Sequence, residues 1–154
     1  MKIQDIVTNA VQITVKIRGT QHSYRLLTAG ESSDVRRAIP QPSVPLMPHP
    51  RYGSADKTVP MIPNKGDGKY MAAETEWNLR ISAAELVIGL GFENDKGATY
   101  ASLTGANEHE RFAWITGAAA ELLGKLSEAE VWANWQAIQS GVAESIKSEA
   151  VRPN

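Results

Sequence analysis

The sequence contains no cysteine, which excludes a disulfide scaffold and thiol chemistry and fits a reducing compartment. Imidazole is also scarce, because the only histidines are His22, His49 and His109. No two of them stand four residues apart, which is the spacing that places two metal ligands on one face of a helix. His109 lies between two glutamates, but adjacent residues on a helix point in different directions. We therefore expect no metal site.

Neither sign of charge dominates, since 16 basic residues face 17 acidic ones and the net charge is −1. A broad positive field is absent, so we expect no nucleic acid as main partner. The longest apolar run, Phe112 to Ala120, falls far short of the roughly 20 residues that span a membrane. The N-terminus is interrupted by Asp5, Asn9 and Gln12 and lacks the apolar centre of a signal peptide. These features predict a cytoplasmic protein with no membrane partner.

Motifs of catalysis and cofactor binding are missing as well. The pair Gly89 and Gly91 lacks the third glycine and the preceding strand of a dinucleotide fingerprint, and the turn from Asn64 to Lys69 lacks the ending of a phosphate loop. No nucleophile elbow of the Gly-x-Ser-x-Gly type occurs. We expect no cofactor and no enzymatic activity. A small enzyme or ligand-binding domain, with a site assembled only in three dimensions, stays open as the alternative.

Alternating polarity marks the N-terminal part of the chain. From Val11 to Arg18 every second residue is apolar, which is typical of a half-buried strand. Gly19 to Gln21 predicts a turn, and His22 to Thr28 predicts a second strand. Together these segments predict a β-hairpin, which needs another element to cover its apolar face.

Proline is concentrated in one segment, Ile39 to Pro63, which holds seven of the eight prolines. Because proline fixes φ and lacks the backbone donor, the segment is predicted to be neither helix nor central strand. We expect an extended arm, and these 25 residues could span roughly 75 Å if straight. A folded domain of this size is only about 40 Å across, so such an arm could reach a neighbouring chain.

The remainder of the chain has helical periodicity. Ser32 or Ser33 could cap a short helical turn before Pro40, and apolar residues recur at helical spacing from Lys69 to about Phe92. Asn107 is placed to cap the next helix, and Ser127 with Glu130 forms a capping box for the last. Strands precede helices without βαβ alternation, so the predicted class is α+β. The predicted parts are a β-rich region at 1–38, the proline-rich arm at 39–68 and a helical region at 69–154.

Large apolar side chains without an evident local partner are the candidate contact residues. Trp114 and Trp132 lie at the edges of their helical stripes, and exposed tryptophans often anchor interfaces. The arm adds an apolar strip, and prolines reduce the entropy that such a strip loses on binding. The predicted protein interface consists of Val44, Leu46, Met47, Tyr52, Val59, Met61, Ile62, Trp114 and Trp132. A solvated linker with incidental apolar residues is the competing interpretation of the arm.

Five parts follow one another along the chain: the hairpin VQITVKIRGTQHSYRLLT, the piece ESSDVRRAIP, the proline run, the helix start GKYMAAETEW and the terminal helices. The order of these parts resembles small tail-assembly proteins of tailed bacteriophages. The resemblance is architectural and covers most of the chain. It implies a non-enzymatic protein that helps to build a phage tail, either as a chaperone that binds the tape-measure protein or as a virion subunit, with copies of itself and other tail proteins as partners. An adaptor unrelated to phages also stays open.

Overall fold

The computed structural model describes residues 2, 12–51 and 59–151, and within the last helix it leaves the side chains of residues 146 and 148–151 undescribed. The described part has the predicted α+β class, with an N-terminal hairpin and C-terminal helices. It contains two small antiparallel sheets and four α-helices. In chain order the elements are β1 (Gln12–Ile17), β2 (Thr20–Arg25), α1 (Ala29–Ala38), β3 (Leu46–Pro48), β4 (Met61–Pro63), α2 (Gly68–Gly89), a 3-10 helix (Tyr100–Leu103), α3 (Glu108–Leu123) and α4 (Glu128–Val151).

The N-terminal hairpin is confirmed, but its turn is shorter than predicted. β1 and β2 pair antiparallel, and the last pair, Ile17 with Thr20, leaves a loop of only Arg18 and Gly19. Their φ angles are +48° and +87°, and a two-residue hairpin turn that matches the strand twist requires positive φ at both positions. Thr20 and Gln21 therefore belong to β2 rather than to the turn. The predicted start of β1 at Val11 lies outside the described residues.

Helix α1 is longer than the short turn predicted from Ser32 or Ser33, because its cap lies upstream. The Thr28 hydroxyl accepts from the Glu31 backbone at 3.2 Å, and the Glu31 carboxylate accepts from the Thr28 backbone at 2.8 Å. This capping box satisfies two backbone donors at the helix start. The helix ends at Ala38, before Pro40, as predicted. The predicted caps Asn107 and Ser127 are confirmed on α3 and α4.

One apolar core joins the N-terminal hairpin to the later helices. β1 packs on α4, α1 packs on α3, and the 3-10 helix also packs on α3. The inward face of the hairpin is thus covered by helices, which supplies the cover that two strands need. The buried members of this core are Val15, Tyr24, Leu86, Leu126, Val131 and Ile138.

Two glycines permit the closest approaches in this core. A Cβ built on Gly89, at the end of α2, would lie 2.1 Å from Cε2 of Tyr24. A Cβ on Gly141 of α4 would lie 2.8 Å from Cγ2 of Ile13. The hairpin side chains therefore rest directly on helix backbone, where any larger residue would push them away.

The hairpin turn is tied to the beginning of α4. Arg18 donates from Nε to Glu130 at 2.9 Å and from Nη2 to Glu130 at 3.1 Å, and Nη2 also donates to the Lys125 carbonyl at 2.7 Å. The Arg18 guanidinium, together with the backbone hydrogen bond from Ser127, lowers the pKa of Glu130 to about 2. The paired geometry is the bidentate arrangement that arginine forms with carboxylates.

The chain divides into two compact units. One consists of Met1–Ile39 and Leu79–Asn154, and the other of Pro40–Asn78. The predicted boundary at 38/39 lies beside the first observed one. The predicted boundary at 68/69 lies before the second, so the start of α2 belongs to the proline-rich unit.

Candidate protein-binding site

The proline-rich segment is not an unpaired arm, because it folds back on itself as a second hairpin. β3 and β4 pair antiparallel, with Leu46 opposite Pro63, Met47 opposite Ile62 and Pro48 opposite Met61. The backbone is extended and neither helical nor in a central strand, as expected. The predicted reach of a straight arm is wrong, since the segment returns to its starting point. We call this element the proline hairpin, described at residues 45–51 and 59–64.

The ladder accommodates its prolines because none of them stands where an N–H must donate. The end pairs are closed by Asn64 N donating to the Pro45 carbonyl at 2.7 Å and by His49 N donating to the Pro60 carbonyl at 3.0 Å. Pro45 and Pro60 thus act only as acceptors. Bonded and non-bonded pairs alternate in an antiparallel ladder, so the nitrogens of Pro48 and Pro63 point away from the partner strand.

The same placement limits what can be added to the edges of the proline hairpin. Each strand keeps one outward N–H within the ladder, at Leu46 on β3 and at Met61 on β4, because the other outward position is proline. A further strand would find too few donors to form a regular ladder. Side chains rather than backbone groups are therefore the contacts that the proline hairpin can offer to another chain.

One face of the proline hairpin is apolar and open to solvent. Residues opposite each other share a face, so Leu46, Pro48, Met61 and Pro63 lie together, and Met47 and Ile62 lie on the other face. The exposed fractions are 61% for Leu46 and 53% for Met61, whereas Met47 and Ile62 are half-buried. Large apolar side chains exposed together are typical of an interaction surface.

The remaining predicted contact residues of this segment are less exposed or lie outside the described residues. Val44 and Val59 are half-buried next to the hairpin strands, and Tyr52 lies outside the described residues. Sequence reasoning missed Met71, near the start of α2 in the same compact unit, which is 54% exposed. The signal was present, because Met71 follows buried Tyr70 and so falls off the buried stripe of its helix.

The expected exposure of the Trp114 side chain is wrong, while its role as a contact residue stays a prediction. Its side chain is only 5% exposed, and its Nε1 donates to the Ala98 carbonyl at 2.8 Å. The chain from residue 94 to 103 folds over this part of α3, and the Asn94 side chain holds the turn by accepting from Lys96 N at 3.0 Å and from Ala98 N at 2.9 Å. Tyr100 covers the indole, with ring centroids 5.7 Å apart.

Trp132, on α4, keeps part of its surface exposed. Its indole meets Trp135 edge to face with 6.2 Å between ring centroids, and its Nε1 lies 3.5 Å from a Glu128 oxygen. Trp132 and the proline hairpin belong to different compact units. The proline hairpin is therefore the predicted contact region that the fold gathers into one surface.

A partly buried polar cluster lies where α1, the 3-10 helix and α3 meet. The Asp34 carboxylate accepts from the Tyr100 hydroxyl and from Arg111 Nε, the latter at 2.9 Å, and Arg111 also donates to the Ala106 carbonyl at 2.8 Å. Partial burial by itself raises the pKa of Asp34, but the two hydrogen bonds outweigh it and the pKa is lowered. Burial and Asp34 raise the pKa of Tyr100 to about 12. The donors and acceptors satisfy one another, which suits a structural role.

Glu85 of α2 is a second carboxylate in a restricted environment. Burial raises its pKa, and this effect exceeds the opposite effects of the hydrogen bond that Trp135 Nε1 donates at 3.3 Å and of Arg36. Tyr24 is close enough that the Glu85 charge contributes to raising the pKa of the phenol, after burial. A lone carboxylate without a nucleophile or a second acid beside it does not make a catalytic site.

The described residues contain neither a candidate metal site nor a membrane-spanning helix. Within the described ranges, no group of three or more His, Asp or Glu side chains could hold a metal ion. None of the helices in the described part combines the length and apolar surface that crossing a bilayer requires. Comparison with protein-family models, curated proteins and solved structures gave no match.

Proposed function

We propose that this chain is a non-enzymatic protein–protein interaction protein of bacteriophage tail assembly, which binds neighbouring chains through its proline hairpin. It acts in the host cytoplasm during assembly, either as a tail-assembly chaperone or as a subunit that stays in the virion. Its partners are copies of itself and other tail proteins. The phage setting is supported by the architectural resemblance, and the binding role is supported by the surface of the hairpin.

The observation that carries the binding role is the exposure of Leu46 and Met61 on one face of a hairpin. Short strands that are pinned by prolines lose little further entropy when a partner covers them. Each strand of the hairpin has only one outward backbone N–H, so a further strand cannot pair with its edges in a regular ladder. The exposed side chains remain accessible to a partner. These properties favour a defined binding surface over a solvated linker.

A catalytic function has weaker support. In the cluster of Asp34, Tyr100 and Arg111, the hydrogen bonds lower the pKa of the Asp34 carboxylate, and burial with the Asp34 charge raises the pKa of the Tyr100 phenol. Glu85 has a tryptophan N–H and no second acid as its hydrogen-bond partner. An efficient general acid or base has a pKa near the operating pH, and the shifts at Asp34 and Tyr100 both lead away from neutrality.

Replacement of the exposed hairpin side chains tests the proposal. The variant Leu46→Thr with Met61→Thr keeps residues that suit strands while it removes apolar surface. We expect it to lose self-association in sedimentation and capture of the tape-measure protein from the same phage. The control Met71→Gln removes an equally exposed methionine from a helix and should retain both. Unchanged association and capture in the double variant, with helicity intact by circular dichroism, would refute the role of the hairpin.

A further inference from the structure

A wide groove runs along the outer side of α3 in the compact unit that does not contain the proline hairpin. Its volume is about 910 Å³, and it lies between α3 and the chain from residue 94 to 103. This volume is at the upper end of the roughly 300 to 1,000 Å³ that ligand sites enclose. Along its floor the helix contributes small residues, so side chains from outside can approach the backbone closely. The floor includes Leu103, Ala113, Trp114, Gly117 and Ala120.

The groove has no convergent polar groups on its floor. The indole N–H of Trp114 already donates to the Ala98 carbonyl at 2.8 Å. A Cβ added at Gly117 would meet no atom within 4 Å, so the centre of the groove is open space. A site for a small polar ligand requires a few aimed donors or acceptors. The groove instead suits a protruding apolar protein element.

The rim of the groove is acidic. Asp95, Glu110 and Glu121 contribute three carboxylates against the single ammonium of Lys96, and Lys125 lies 3.7 Å from Glu121. The proline hairpin with its flanking turns, residues 40–66, has the opposite balance. Among its described residues it carries the basic side chains Arg51 and Lys65 and no carboxylate. Both surfaces are thus apolar at their centres, and their margins carry opposite charges.

From this complementarity, and resting on the proposed function, we infer that the proline hairpin of one copy docks in the α3 groove of a second copy. Leu46 and Met61 enter the apolar floor, and the basic flanks face the acidic rim. The contact joins two different surfaces, so it is head-to-tail. Repetition of such a contact produces a closed ring when the rotation closes and an open helical stack when it does not. Either product is an assembly of copies in a fixed order.

The absence of native cysteine makes cross-linking a direct test. Purified full-length Leu46→Cys and Gly117→Cys proteins are mixed at low salt and oxidised, and disulfide-linked dimers are measured by non-reducing electrophoresis and mass spectrometry. We expect the mixture to give several-fold more dimer than either protein alone. Ala113→Cys, at another exposed position on the floor, should also cross-link to Leu46→Cys. Met71→Cys mixed with Gly117→Cys is the matched control and should stay at the background level.

The charge contribution gives a second readout. Exposed charges are screened by salt, so the cross-link yield should fall as ionic strength rises. Glu110→Lys in the groove partner should lower the yield at low salt. A yield at background for both groove positions, or dimers formed mainly between two Leu46→Cys copies, would overturn the inference. If the tape-measure protein still binds through Leu46 and Met61, the proposed function survives that failure; if that capture is also insensitive to the hairpin, both fall.

Discussion

Replacement of Gly89 by alanine is the sharpest test of how the N-terminal hairpin meets the helices. The added methyl would lie 2.1 Å from Cε2 of Tyr24 and 2.6 Å from two further ring atoms, and Tyr24 is only 4% exposed. The ring cannot swing into solvent without leaving the core. Overpacking of this kind costs about 1 to 3 kcal/mol. Because Gly89 is the last residue of α2, alanine regains only about half of the roughly 1 kcal/mol of interior helix propensity, and we expect a net loss of about 0.5 to 2.5 kcal/mol.

The matched control is the same substitution at Gly117, in the interior of α3. Its Cβ would meet nothing within 4 Å, so alanine should stabilise by about 0.4 to 1 kcal/mol. For a chain of this size each kcal/mol shifts Tm by about 2 to 4 °C. Thermal and urea unfolding followed by far-UV circular dichroism should therefore place Gly89→Ala below and Gly117→Ala above the wild type.

A double-mutant cycle separates the ring clash from other causes. Tyr24→Leu removes ring atoms that the new methyl would strike, so it should destabilise the wild type more than it destabilises Gly89→Ala. Additive effects of the two substitutions, or a Gly89→Ala protein as stable as the wild type, would contradict the packing of Tyr24 on the α2 backbone.

Three further predictions concern charge and packing. The pKa of Glu85 is raised, so its contribution to stability is complete below its ordinary pKa of 4.5 and is lost as pH rises through the raised value. Glu85→Gln should be more stable than wild type at neutral pH and equally stable at low pH. If the variant and the wild type have the same dependence of stability on pH, the burial effect is contradicted. The pKa of Glu130 is lowered to about 2, so its contribution to the free energy of unfolding is present above pH 4.5 and is lost between pH 4.5 and about 2. Glu130→Gln keeps a capping side chain but should reduce this loss of stability at acid pH, measured by urea unfolding at several pH values. Arg18→Ala should have the same effect if the pair is responsible. Gly141→Ala should lower Tm by less than Gly89→Ala, because the 2.8 Å contact with Cγ2 of Ile13 is longer than the 2.1 Å contact with the Tyr24 ring. Equal losses at the two sites would be inconsistent with that difference.

Local patterns predicted most of the regular structure. Alternation from Gln12 to Ile17 identified β1, and the Ser127 and Asn107 caps identified the starts of α4 and α3. These features depend on neighbours within a few residues, so sequence reading can detect them. The cap of α1 was misplaced because Thr28 and Ser32 are both suitable caps, and the choice depends on the glutamate three residues after Thr28.

Patterns within a few residues could not predict the proline hairpin or the burial of Trp114. Proline was correctly taken to exclude central strands, but a two-stranded ladder consists only of edges, where outward prolines are tolerated. Whether each proline falls on an outward or an accepting position depends on the register, which is set by contacts more than a dozen residues apart. Trp114 is covered by a polar segment whose order comes from the Asn94 turn, and polar composition does not reveal which side chains such a segment covers.

The bond between Arg18 and Glu130 connects residues 112 positions apart, and the hairpin beside Arg18 shares its core with α4. A ribosome that adds about 5 to 20 residues per second completes the strands of this hairpin roughly 6 to 22 s before their helical cover has been synthesised. During that interval the part of β1 that packs on α4 is uncovered. Cellular chaperones therefore have a defined window in which to bind it, and a chain truncated before α4 should be recovered with them rather than free.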